Sequence, residues 1–350
     1  MDIRMQGNHR VKEPHIPYNP PICLCRRAKG TLGPLDGRTD KPFWDAAEWM
    51  DDFHDIEGAG KPKPFKRTRV KMLWDDEALY IAAVLEDDTI WATVRNRDEV
   101  IFVDNDFEVF LSPGDSTHRY YELEINAHNA VWDLYMHKPQ RDCVNRIISW
   151  DIRGLETAVH IDGELNNPSA DNKSWSIEMK IPWFSLRECG VDQCYPQVLQ
   201  PSLGETWRLN FSRVEYEVDV VDNQYVKRTC PETGKPLPEY NWVWAPTGII
   251  DIHLPEMWGY LIFTDHGESY PLPADEGVKR VLRTLYYRQH AHRCVYGHFS
   301  TDADSLLGKD MDGYEVKTHV TPSLFEGIAV HEGRRWHIRE DGYLWCGAIE

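Results

Sequence analysis

The sequence predicts a mainly β protein, an antiparallel two-sheet sandwich with a small C-terminal α+β appendage. Three observations carry that reading. Between Thr68 and Phe263, run after run alternates apolar and polar residues with a period of two. Clusters of Gly, Pro, Asp and Asn separate those runs, as hairpin turns require. Only Glu276 to Arg293 instead repeats its apolar residues (Val278, Val281, Leu282, Leu285, Tyr286) every three or four positions, the mark of an amphipathic helix. With 41% hydrophobic residues in 350, the chain can bury a sizeable core, which excludes wholesale disorder.

The elements follow in order. Residues 1–34, with Pro17, Pro20, Pro21 and Pro34, read as an extended arm lying across the main domain. Residues 35–266 read as the sandwich. Asp36-Gly37 is a turn, and Trp44 and Trp49 anchor the segment after it. Val70, Met72 and Trp74 share one face of a strand, Asp75-Asp76 turns the chain, and Leu79–Val84 returns. Phe107–Leu111 and Tyr121–Asn126 form a second pair across Ser112-Pro113-Gly114-Asp115. In the latter strand Tyr121, Leu123 and Ile125 face one way, and Glu122, Glu124 and Asn126 the other. Val131–Met136, Leu155–Ile161, Trp175–Ile181, Trp207–Ser212 and Trp258–Phe263 complete the series, while 217–241 reads as a long loop. Many short antiparallel strands and few helices suit a jelly-roll or immunoglobulin-like sandwich. Residues 275–350 read as the helix-plus-strands appendage.

Composition excludes several functions. The 39 Lys and Arg against 57 Asp and Glu leave a net charge of −18. Binding nucleic acid or anionic lipid needs a basic surface, so neither is expected as a partner. No run approaches the ~20 apolar residues of a membrane span. Met1–Asn8 is polar and lacks a signal-peptide core, so the chain as written reads as cytoplasmic, or as secreted if a leader has been removed. The eight cysteines are scattered, and Cys23-Leu24-Cys25 is too closely spaced for a zinc or redox CxxC. Buried free thiols agree with a reducing compartment. The 14 Trp, 16 Tyr and 11 Phe suit a sandwich core, stacking platforms, or both. Oligomeric state is not legible.

Four stretches have a common likeness: Asp36-Gly37…Trp44; Val70–Asp76…Leu79-Tyr80; Asp104-Asn105-Asp106-Phe107-Glu108-Val109-Phe110 running on to Tyr121–Asn126; and Trp244…Pro255–Gly259. In order and spacing they resemble the family 9 carbohydrate-binding modules and their family 9-like relatives, over about two-thirds of the chain. The resemblance implies a β-sandwich whose open face, in sugar-binding members, clamps a sugar end between two aromatics beside polar strand residues, with structural calcium in some members. It places the aromatics at Phe102, helped by Trp91, and at Trp244, and sugar-contacting polar groups at Glu108 and Asn126. Glu124 departs from the pattern, standing where characterised binders have a basic residue. Residues 275–350 have no counterpart in it.

Sugar recognition needs a flat apolar plate and a few fixed polar groups. Trp244 and Phe102 are the expected plates. Glu108, Glu124, Asn126, Glu178, Lys180, Arg208 and Asn210 project from one face if alternation holds along their strands. The plainer reading is a solvated charged face. Trp132 and Asp133 are both candidates, because strand phase leaves either one facing outward. Arg213 is a further candidate contact. Trp74, Trp175, Trp183, Trp207 and Trp258 lie within apolar runs and belong to the core.

Carbohydrate binding is therefore the expected function, with a mono- or oligosaccharide as ligand. The alternative is a glycan-active enzyme, a glycoside hydrolase or lyase, using Glu108, Glu124 or His253 for acid–base chemistry; paired acids at about 5–5.5 Å or 6.5–9.5 Å are what such enzymes use. Glu122 with Glu124 offers a similar pair. A third reading is an assembly protein docking through its appendage. No cofactor is required. Calcium is the metal to consider, with Asp104 and Asp106, and Glu86-Asp87-Asp88, as oxygen donors. His290, His292 and His298 lack zinc spacing. Related sandwiches bind haem through Met and His, but no such pair falls on one face here. No phosphate loop, GxSxG or HExxH motif is present.

Overall fold

The structure, a computed structural model, describes residues 11–114, 116–142, 146–190 and 200–348. The polar stretch Met1–Asn8, Asp115 of the Ser112–Asp115 turn, and Cys143 and Cys194 lie outside the described residues. In chain order the strands are β1 (Ile22–Arg27), β2 (His54–Asp55), β3 (Thr68–Trp74), β4 (Ala78–Glu86), β5 (Asp106–Ser112), β6 (Tyr120–Asn126) and β7 (Val131–Met136). They continue with β8 (Arg146–Ile147), β9 (Glu156–Asp162), β10 (Ser174–Pro182), β11 (Thr206–Glu215), β12 (Val218–Val221), β13 (Gln224–Lys227), β14 (Tyr240–Val243) and β15 (Gly259–Thr264). The C-terminal part holds helices α1 (Glu276–Tyr296) and α2 (Ala303–Leu307), then β16 (Val316–Val320), β17 (Phe325–His331), β18 (Arg334–Arg339) and β19 (Leu344–Ala348). No described helix is long and apolar enough to cross a membrane.

Two separate sheets are expected from the sequence, yet the hydrogen bonds trace one 13-stranded sheet in the order β8-β7-β6-β5-β11-β15-β1-β3-β4-β10-β9, with β14 also paired to β11 and β2 paired to β14. The join is β1. It pairs in parallel with β15 from Ile22 to Arg26, but with β3 only at Arg26 and Arg27. So short a seam lets the sheet curl, and residues of both halves meet in one core. Trp74 of β3 packs edge-on to Phe263 of β15, and Trp183, just past β10, to Trp207 of β11. Val70, Met72, Ile81, Val109, Leu123, Ile177 and Phe211 fill the space between the halves, as their period-two spacing requires.

The arm thus supplies a central strand. Alternation within β1 sends Cys23 and Cys25 into the core, where burial pushes the Cys23 thiol up to about 12, and leaves Ile22 and Leu24 outside. The stretch read as a loop over 217–241 contains the hairpin β12–β13, paired from Val218↔Lys227 to Val221↔Gln224. Its turn residues Asp222 and Asn223 both have positive φ (51° and 60°), the backbone of the turn type that matches strand twist.

Glu178 of β10 explains the Asp36-Gly37…Trp44 signature. Its buried carboxylate accepts from Asp36 N, Gly37 N, Trp44 Nε1 and Lys41 Nζ at 2.5–3.1 Å, tying that segment over the outer face of β10. Glu178 and Lys180 therefore lie on the β4–β10 half, apart from Glu108. The expectation of one shared polar face is corrected at these two residues, because the curl turns the outer faces of the two halves away from each other.

The C-terminal part has its own core. Val278, Val281, Leu282 and Leu285 of α1 pack on Phe325, Ala329, Trp336 and Ile338 of the β16-β17-β18-β19 sheet, joined by Val11 of the arm. One carboxylate ties it to the rest. Glu276, in the first turn of α1, accepts from Arg208 of β11 at 2.6 Å and from Tyr18 and Tyr260 at 2.9 Å.

Candidate functional site

Registers across four strands of the first half build a row of side chains. Ser212 of β11 lies opposite Glu108 of β5, Glu108 opposite Glu124 of β6, and Glu124 opposite Trp132 of β7. All four share the outer face, since their neighbours Phe211, Val109, Leu123 and Val131 belong to the inner core. Asp106 and Glu122 flank the row. Carboxylate oxygens of Asp106, Glu108 and Glu124 lie within 4.8 Å of one another. Glu122 sits opposite Phe110 and Leu134, at the border of an apolar cluster with Tyr120, Met136 and Trp258.

Burial controls the chemistry of these acids. It pushes Glu108 up to about 7, against a hydrogen bond to Ser212 that works the other way. Burial, then the charge of Glu108, pushes Glu122 up to about 8. Asp106 and Glu124 are raised for the same two reasons. Near neutral pH the cluster thus holds protonated and ionised carboxyls side by side, able both to donate and to accept.

Aromatics rim the cluster. Phe102 is 43% exposed, its ring centre 6.2 Å from that of Trp132, and its backbone N–H donates to Glu124 Oε2 at 3.1 Å. Tyr216 fixes that loop by donating from its hydroxyl to Phe102 O at 3.0 Å. Lys227 of the β12–β13 hairpin lies 3.3 Å from the Tyr216 ring centre, and Arg146 lies 5.6 Å from that of Trp132. Phe102, Glu108, Glu124 and Trp132 are therefore brought together, with Asp106 beside them.

Other expected site residues are placed elsewhere. Trp244 is corrected from stacking plate to core residue: it is 2% exposed and packs on Phe211, and a Cβ added to Gly259 would stand 2.2 Å from its ring. Trp91 is buried against Val214 and Tyr216 beneath the hairpin. Asn126 is spent on structure, donating to Val94 O and Asp104 while accepting from His128 N and Ala130 N. Asn210 likewise exchanges hydrogen bonds with both backbone groups of Ala245. Asp133 faces the opposite side of β7 from Trp132 and is held by Arg97 at 2.5 Å and Ile152 N at 2.6 Å. Arg213 points inward at the end of the core, bonded to Glu215 and Asp87. Arg208 is on the outer face, but Glu276 covers it. His253 bonds Tyr120 at 2.7 Å, and burial, then Arg141 and Arg146, drive its pKa down to about 3, so it stays neutral.

The expected metal donors fit poorly as one set. Asp104 already accepts from Thr93 N, Thr93 Oγ1, Val94 N and Asn126 Nδ2 at 2.7–3.0 Å, leaving little capacity for a cation. Asp87 is engaged by Lys66 and Arg213. Of these expected donors, Asp106 has a buried oxygen, Oδ2, with no hydrogen-bond partner among the described residues. Asp98, Asp133 and Asp151 also cluster, but around the guanidinium of Arg97.

Glu122, Ser212, Tyr216, Lys227 and Arg146 were not legible as one site. Alternation with Glu124 marks Glu122 and alternation with Asn210 marks Ser212. For the other three, which reach the cluster through a loop, a hairpin and a short edge strand, the sequence carries no signal.

The sequence pattern described as carbohydrate family 9 binding domain-like matches residues 35–211. No curated protein matches the chain. Among solved structures, a Bacteroides uniformis ATCC 8492 protein to which carbohydrate binding is ascribed is similar at 15% identity and a TM-score of 0.47, covering 70% of this chain and 100% of its own. A family 9 carbohydrate-binding module from Caldicellulosiruptor kristjanssonii, solved with glucose and with cellotriose, aligns at 15% and 16% identity and a TM-score of 0.43, covering 72% of this chain and 98% of its own.

Proposed function

The chain belongs to the carbohydrate family 9 binding domain-like family, and from that premise we propose that it binds a mono- or oligosaccharide on the outer face of β5, β6, β7 and β11. One observation carries the reading: the Ser212–Glu108–Glu124–Trp132 row ends beneath the exposed ring of Phe102. Phe102 offers an apolar plate to the C–H face of a pyranose, and the carboxyls beneath supply donors and acceptors for its hydroxyls. A neutral sugar suits partly protonated acids better than an anionic one does. In this reading the curled sheet is the two-layer sandwich of the family.

Calorimetry with glucose and cellotriose as probes, then a glycan array, tests it. Phe102→Ala should weaken binding tenfold or more without loss of stability, because the ring is exposed. Glu108→Gln should weaken it as well. Equal affinity in wild type and both variants overturns the proposal.

A second reading, cleavage of glycosidic bonds, draws on Glu108 and Glu122, whose pKa values near neutrality suit a general acid. Sugar release that survives both Glu108→Gln and Glu122→Gln removes these residues from any such mechanism.

A further inference from the structure

We propose that His292 and His298 form a binding site for a divalent ion of the zinc class at the C-terminal end of α1, in a part of the chain that the family pattern does not reach. The two histidines have no regular zinc spacing in the sequence; the turn that ends the helix brings them together. Gly297, with φ 80°, takes the left-handed conformation, and its N–H donates to Arg293 O at 2.8 Å. The buried amide of Gln289 pins the returning segment, donating to Ser300 O at 2.7 Å and accepting from Ser300 N at 2.8 Å. The ring centres of His292 and His298 then lie 5.2 Å apart. Zinc holds imidazole nitrogens at about 2.0–2.1 Å, so two on one tetrahedral ion stand roughly 3.4 Å apart, and rings this close can share one ion.

The hydrogen bonds decide which nitrogen is left for a metal. His292 Nδ1 donates to His298 O and His298 Nδ1 donates to Phe299 O, each at 2.9 Å. A carbonyl oxygen only accepts, so Nδ1 carries the proton in both rings and the lone pair of each neutral ring is on Nε2. Neither Nε2 has a hydrogen-bond partner among the described residues. Metal-ligating histidines have this same arrangement: the other ring N–H is tied to a carbonyl, which sets tautomer and ring orientation before the ion arrives. Surroundings favour a cation as well. The last carbonyls of α1 present partial negative charge, and the neighbouring Arg293 is engaged with the ring of Phe299 at 4.6 Å and with Ser323 O at 3.0 Å. Imidazole nitrogens suit zinc, copper or nickel and not calcium or magnesium. His298 is exposed and His292 half-buried, so water can complete the shell.

Zinc chloride alone, titrated by calorimetry into the untagged, EDTA-treated full chain, is the probe. Wild type should show a saturable site that His292→Ala and His298→Ala each weaken tenfold or more. His319 is exposed on β16, away from the pair, and His319→Ala should bind zinc as wild type does. Nitrogen-15 NMR of the imidazole rings gives a second readout on wild type. Without metal both rings should appear as Nδ1–H tautomers, and zinc should shift their Nε2 signals. Absence of saturable zinc binding overturns the proposal, as does binding that survives in both variants or falls equally in His319→Ala. Nε2 signals of His292 and His298 that do not move with zinc overturn it whether or not the variants fold. The pair lies outside the strands proposed to hold sugar, so failure of either proposal leaves the other standing.

Discussion

Replacing Glu276 with Gln should release the C-terminal part from the sheet. Its carboxylate joins three segments distant in sequence: Tyr18 of the arm, Arg208 of β11 and Tyr260 of β15, all within 2.9 Å. Burial works to raise the pKa of Glu276, but Arg208, then Arg283 and Lys279, hold it down to about 2. A carboxyl at about 2 in the fold and 4.5 in the unfolded chain contributes roughly 3 kcal/mol at neutral pH. An independent estimate agrees: leaving buried Arg208 without its anion should cost about 3–5 kcal/mol. Because the folded pKa is depressed, the contribution is present above pH 4.5 and lost as pH falls toward 2. Urea unfolding followed by tryptophan fluorescence should therefore show wild type more stable than Glu276→Gln by roughly 3 kcal/mol at pH 7, narrowing to roughly 1.5 kcal/mol at pH 3. With two cores present, the variant can also unfold in two steps. A gap below about 1 kcal/mol at pH 7, or one that does not change with pH, would refute the reasoning.

Three further outcomes follow from the packing. Trp244→Ala should cost about 3–5 kcal/mol of stability through the cavity it leaves in the core, measured by thermal melts; a well-folded variant that merely loses sugar affinity would contradict the buried placement of the indole. Gly37→Ala should lower Tm sharply, because Gly37 has φ +80° and a Cβ there would stand 2.3 Å from His160 N; an unchanged Tm would mean that the Glu178 anchor is looser than its hydrogen bonds imply. His290, driven down to about 4 by burial, stays neutral in the fold while the unfolded chain takes up a proton below pH 6.5. Wild type should thus lose roughly 3 kcal/mol between pH 6.5 and 4 that His290→Leu does not lose, and parallel pH profiles in chemical denaturation would sink this assignment.

How much was legible depended on the range of the interaction. Strand positions were, because alternation is local: Tyr121, Leu123 and Ile125 had to face the core if Glu122 and Glu124 were to face away from it. The helix was legible for the same reason, and α1 extends only a little beyond the predicted Arg293. The β12–β13 hairpin was missed although Asp222-Asn223 marked its turn, because acids among the valines hid the alternation. The strand β1 was missed because parallel pairing to β15 is a long-range choice that no local pattern announces. Among site residues, Glu108 and Glu124 followed from alternation together with the family resemblance. Asn126, Asn210 and Asp133 did not separate from them, since a polar side chain on a strand looks the same whether it faces a ligand or a backbone amide.

The sequence by itself determined the strands that alternate cleanly, such as β3, β5, β6, β10 and β11, and which faces those strands bury, because a period of two is set by backbone geometry and needs no partner. It also determined the acidity of the chain and its family. Tertiary structure alone decided that the sheet closes through β1, that Trp244 is core while Phe102 is exposed, and that Asp106, Glu108 and Glu124 meet in one buried cluster. Those outcomes depend on which segments approach in space, and on how desolvation and hydrogen bonding are settled once they do.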